Sequence, residues 1–68
     1  LVGDYREFYQ NGQMKASITY QEGKPDGKAR YYYPNGNLKM TGRYKEGDRK
    51  GKWEIYNAQG KLVREIKY

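Results

Sequence analysis

Gly27-Lys28-Ala29-Arg30-Tyr31-Tyr32-Tyr33-Pro34-Asn35-Gly36-Asn37-Leu38-Lys39-Met40-Thr41-Gly42-Arg43-Tyr44-Lys45-Glu46-Gly47 is the stretch that decides the fold. Asn35-Gly36 stands between two runs rich in aromatic and aliphatic residues. Both residue types tolerate the positive φ of a tight reversal, so the stretch reads as a β-hairpin. A two-residue type I′ loop competes with a three-residue loop, in which a type I turn is followed by a left-handed glycine. Pro34 favours the second, because its fixed φ suits the first central position of a type I turn. In that register Tyr32 faces Leu38, and Glu46-Gly47 begins the next reversal.

Working outward, the same signals recur every 24 residues without insertion or deletion. The shift superposes Gly12, Gly36 and Gly60; Phe8, Tyr32 and Tyr56; Met14, Leu38 and Leu62; and Tyr20, Tyr44 and Tyr68. Gly3, Gly27 and Gly51 also align, as do Asn11, Asn35 and Gln59. The chain is therefore read as one domain, residues 1–68, of three hairpin units at about 3–26, 27–50 and 51–68. The third copy stops at Tyr68, where the next Glu-Gly turn is due, and the numbering begins at Leu1 rather than Met. Both features lead us to expect a fragment of a longer protein, or a processed form.

The second segment of each unit has period two, which predicts strands rather than helices. Met14, Ala16, Ile18 and Tyr20 are expected on one side and Gln13, Lys15, Ser17 and Thr19 on the other. First strands are expected near Tyr5 to Tyr9, Lys28 to Tyr33 and Lys52 to Tyr56. The sum is an all-β antiparallel meander of about six strands. Each hairpin packs mainly on its neighbours, as in other one-dimensional repeats, and the repeated ring positions are the expected main support.

Composition bounds the chemistry. At 68 residues the chain has little core to bury, yet nine Tyr, one Trp and one Phe set it apart from disordered sequences. There is no Cys and no His, so thiolate nucleophiles, imidazole bases and the usual transition-metal ligands are missing. Ser17 is the only serine, and nothing is present to activate it. The carboxylates Asp4, Glu7, Glu22, Asp26, Glu46, Asp48, Glu54 and Glu65 are scattered and form no evident pair of the kind glycoside hydrolysis uses. No Gly-Lys-Ser/Thr element opens a helix to make a phosphate loop. We read the chain as non-catalytic, with no cofactor and no metal. No signal peptide is visible and no apolar run approaches the roughly 20 residues of a membrane helix, so localisation stays open.

The order Gly-x-aromatic, tyrosine, Asn-Gly, leucine, tyrosine, Glu-Gly resembles the MORN-type repeat. It looks most like the bacterial variant of that repeat, common in proteins described as antitoxin components of toxin–antitoxin modules. The clearest copies run through Gly27, Tyr32, Asn35, Gly36, Leu38, Tyr44, Gly47 and Gly51, then Trp53, Tyr56, Gly60, Leu62 and Tyr68. The resemblance covers essentially the whole chain. It implies an elongated, twisted, single-layer antiparallel sheet engaged in protein contact, scaffolding or attachment to lipid head groups. Ala29 departs from it where Tyr5 and Trp53 supply rings, and Gly42 departs where Ile18 and Ile66 stand, which weakens the middle copy or opens a hollow. Tyr31 to Gly42 also resembles a choline-type cell-wall-binding repeat, but that family has a shorter period and paired tryptophans, whereas Trp53 is alone.

Charge is the remaining signal. The net +6 is uneven: residues 1–24 sum to 0, residues 25–48 to +2 and residues 49–68 to +4. Arg49, Lys50 and Lys52 cluster at a turn, and Arg30, Lys39, Arg43 and Lys45 can share the polar side of the middle hairpin. Such a surface draws an acidic protein or anionic lipid; the alternative is a solvated face with edge lysines opposing aggregation. Nucleic acid fits less well, because the rings fall at repeat positions that argue for packing. Tyr9, Tyr31 and Tyr33 lie on the parity opposite to Tyr32 and are the candidate partner-facing row. A protein partner is the leading expectation, an acidic surface the alternative, and open edge strands predict self-association.

Overall fold

The structure is a computed structural model and describes residues 3–68. Six strands follow one another: β1 (Gly3–Phe8), β2 (Met14–Gln21), β3 (Lys24–Tyr32), β4 (Leu38–Lys45), β5 (Asp48–Tyr56) and β6 (Leu62–Lys67). Each pairs antiparallel with the next in one open meander, with no helix among the described residues. The backbone measures 34 × 29 × 9 Å. A depth of 9 Å leaves room for one layer, since a second sheet would itself stand about 10 Å away.

Two kinds of reversal alternate along the chain. Within a unit, the Tyr33 amide donates to the Asn37 carbonyl (2.8 Å) and the Gly36 amide to the Tyr33 carbonyl (2.9 Å). Pro34 and Asn35 are thus the central residues of a type I turn, and Gly36 follows at φ 92°. This is the three-residue loop, repeated at Tyr9–Gln13 and Asn57–Lys61. Between units the loop has two residues. Glu22-Gly23 (φ 51° and 81°) and Glu46-Gly47 (50° and 91°) carry positive φ at both positions, as a type I′ turn requires.

Phe8 stands opposite Met14, Tyr32 opposite Leu38 and Tyr56 opposite Leu62, the expected register. One residue further into each hairpin the register slips. Glu7 pairs with Ala16, Tyr31 with Met40 and Ile55 with Arg64, leaving Lys15, Lys39 and Val63 as extra residues. This β-bulge corrects the simple alternation expected of β2. Neighbours Glu7 and Phe8 point to opposite faces, so their partners Ala16 and Met14 do too.

The register assigns two faces. One carries Tyr5, Ala16, Ile18, Tyr20, Ala29, Tyr31, Met40, Gly42, Tyr44, Trp53, Ile55, Ile66 and Tyr68 by pairing and alternation. It holds the only fully buried apolar side chains among the described residues: Ala16 (3% exposed), Ala29 (0%) and Trp53 (1%). Contrary to expectation, the repeated ring positions do not all support this face: Phe8, Tyr32 and Tyr56 lie on the other one. Phe8 at the edge strand β1 and Tyr68 just after the edge strand β6 stay 59% and 52% exposed.

Candidate functional site

The second face carries the pairs Phe8·Met14, Tyr32·Leu38 and Tyr56·Leu62 as an apolar row near the Asn-Gly turns. Toward the other end of the strands it becomes cationic. Arg43 lies between two register partners of its own sign, Lys28 on β3 and Lys50 on β5. Arg30 and Lys52 complete a shallow groove lined also by Thr41 and Glu54. Like charges set directly across a sheet destabilise it, so three cations abreast in a small domain is a costly arrangement. Lys52 is the one of the five with an acidic partner, Glu65 at 3.5 Å, and both ends of that pair are half exposed.

Of the cations singled out from the sequence, the structure brings Arg30, Arg43, Lys50 and Lys52 together. Lys39 goes elsewhere: it is a bulge residue, and its ammonium lies 5.7 Å from the Tyr33 ring centre, as Lys15 does over Tyr9. Arg49 lies on the opposite face, 5.3 Å from the Trp53 ring and 5.8 Å from the Tyr68 ring, and donates to the Tyr68 hydroxyl at 2.9 Å. That hydrogen bond holds its guanidinium pKa above the ordinary arginine value. Lys28 was missed. A register counted without the bulge places it against Gly42 rather than Arg43, and nothing in the sequence signals the slip.

The tyrosine row divides as well. The Tyr9 hydroxyl donates to the Tyr32 carbonyl at 2.6 Å, and the Tyr33 hydroxyl to the Tyr56 carbonyl at 2.8 Å. Asn11 and Asn35 follow the same step, donating to the carbonyls of Pro34 (2.9 Å) and Ala58 (2.8 Å). Each reaches 23 residues forward, so Tyr9 and Tyr33 fasten one unit to the next. Tyr31 lies on the buried side, its hydroxyl 3.2 Å from that of Tyr44. Burial first, and the Tyr44 hydroxyl second, push the Tyr31 phenol well above its ordinary pKa.

A thin meander of equal hairpins, tied at a constant sequence step and cationic on one face, defines a β-hairpin repeat protein. The chain belongs to the MORN repeat variant family, whose profile matches residues 1–22, 25–46 and 49–68, segments that begin 24 residues apart. No curated protein and no solved structure matches the chain.

Proposed function

We propose that this sheet is a non-catalytic docking surface for a protein partner that presents acidic and apolar groups together. The Lys28–Arg43–Lys50 row carries the reading, because a sheet gains nothing in stability from three adjacent cations and an acidic ligand gains a great deal. On the same face, toward the Asn-Gly end of the strands, stand exposed apolar groups, Phe8 and Leu62 among them. A face of 34 by 29 Å matches the roughly 800 Å² per partner of a standard protein interface, far more than a small ligand uses. The lack of His and Cys supports the non-catalytic part. In the finer form of this reading the module is antitoxin-like, its partner a toxin of a bacterial module.

The same cationic groove, on a face that also carries exposed apolar groups, supports attachment to anionic lipid as well. Salt separates the two. A membrane contact made through counter-ion release fades between low and high ionic strength, whereas a complex anchored by rings in a desolvated centre largely persists. Capture from the source cells with the wild-type chain and with Arg43→Glu is the direct experiment. A partner held by both chains alike overturns the assignment to the groove.

A further inference from the structure

The two edges of the sheet, β1 and β6, are exposed along almost their whole length and carry charges in opposite order. The joints inside the chain say how they would meet. Where one unit follows another, Ala16 pairs with Tyr31, Ser17 with Arg30 and Ile18 with Ala29. Moved on by two units and returned to β1, the same register sets Arg64 against Glu7, Glu65 against Arg6 and Ile66 against Tyr5. Lys67, the counterpart of Thr19 that packs on Gly27, comes to Gly3 and so beside Asp4. Every charge on one edge therefore meets its opposite on the other. The internal joints have no such ion pairs, with Ser17·Arg30 and Thr41·Glu54 at the corresponding positions.

The backbone agrees. The Tyr33 amide turns toward β4, so by alternation the backbone groups of Tyr32 and Arg30 turn toward the preceding unit, whose Tyr9 hydroxyl the Tyr32 carbonyl takes. Their counterparts Phe8 and Arg6 turn theirs outward from β1. We propose that the chain associates head to tail, β6 of one copy adding as an antiparallel strand to β1 of the next, in the register of its own units. The contact is heterologous, so it leaves an open edge at each end and propagates.

The joint lacks one feature of the internal ones. The third unit has Asn57 and Gln59 where the first two have Tyr and Asn, and the Asn57 carboxamide oxygen is taken by the Gln59 and Lys61 amides of its own turn. No side chain there reaches forward to the Phe8 and Gln10 carbonyls. Association is accordingly weaker than an internal joint, and reversible.

The test uses the full chain in two blocked forms whose fold is checked by circular dichroism. Arg6→Pro removes an outward amide from β1, and Glu65→Pro, the counterpart of Ser17, removes one from β6; proline is tolerated on an edge. In sedimentation at low salt, each blocked chain stays monomeric and an equimolar mixture forms a dimer, while the wild type forms longer species. Arg64→Glu weakens wild-type association about tenfold, adding Glu7→Arg restores it, and Asn57→Tyr with Gln59→Asn tightens it. A wild type that remains monomeric at millimolar concentration overturns the proposal. So does self-association of either blocked chain, or indifference to the charge reversal.

Discussion

Gly42 lies under the indole of Trp53, so close that a Cβ at this position would overlap the ring carbons. The middle unit has the small pair Ala29·Gly42 where its neighbours have Tyr5·Ile18 and Trp53·Ile66, and the indole of the following unit fills the space. Its Nε1 donates to the Arg43 carbonyl at 3.2 Å, and its ring meets Tyr44 and Tyr68 edge to face. The sequence hollow is thus the best-packed point of the sheet. Gly42→Ala should cost about 1–3 kcal/mol and Trp53→Ala about 3–5 kcal/mol. In urea melts, Gly42→Ile combined with Trp53→Ala should cost less than the two single changes added together. Strict additivity would show that the two residues do not share one space.

The hydroxyls of Tyr9 and Tyr33 do the same work at successive joints. Tyr9→Phe and Tyr33→Phe should each lower stability by about 1 kcal/mol, as the loss of one hydrogen bond does. The two sites are two strands, about 10 Å, apart. The double variant should therefore lose close to the sum in denaturant unfolding.

Glu22 and Glu46 hold φ of 51° and 50°, left-handed conformations in which a side chain other than Asn, Asp or Gly is strained. Asn is the favoured residue at the first position of a type I′ turn. Glu22→Asn should raise stability by about 0.5–1 kcal/mol, seen as a rise of about 4 °C in Tm. An unchanged or lower Tm would contradict the turn assignment.

The Lys28–Arg43–Lys50 row makes the fold salt-sensitive. Arg43→Gln should raise Tm at low ionic strength by relieving two like-charge contacts worth a few tenths of a kcal/mol each, and the gain should vanish in high salt. If the proposed docking surface is right, the same variant should bind an acidic partner more weakly. A substitution that raises stability while lowering affinity separates a binding residue from a structural one.

Tyr31 sets an alkaline limit. Its phenol pKa is raised above the ordinary tyrosine value by burial and by Tyr44, so the folded state keeps a proton that the unfolded chain releases. The stability this represents is complete below the unfolded pKa of about 10 and is lost as pH climbs from there toward the folded value. Tyr31→Phe should flatten the fall in Tm between about pH 9 and 11. An identical alkaline slope in the two proteins would show that the hydroxyl is not desolvated.

Asn35-Gly36 marks the reversal by local backbone physics and Pro34 favours the three-residue loop, but the sequence leaves the two-residue loop open. The backbone hydrogen bonds settle the three-residue turns and with them the pairs Tyr32·Leu38, Phe8·Met14 and Tyr56·Leu62. The six-strand meander follows from the glycine period by the same local physics. The cationic site was only half legible. The sequence points to Arg30, Arg43, Lys50 and Lys52, but it does not single out Lys28 and it groups Arg49 with the four, because faces depend on register.

The sequence by itself determined where the chain reverses, since φ preferences belong to single residues and their immediate neighbours. It also determined that the units repeat, and that the chemistry of imidazoles and thiols is closed to them. Only the tertiary structure decided which side chains share a face. One extra residue per hairpin, Lys15, Lys39 or Val63, turns every later side chain over, and a bulge is stabilised by the strand alongside rather than by its own sequence. Tertiary structure also decided that Trp53 fills the gap at Gly42, a contact between residues of different units that neither unit encodes alone.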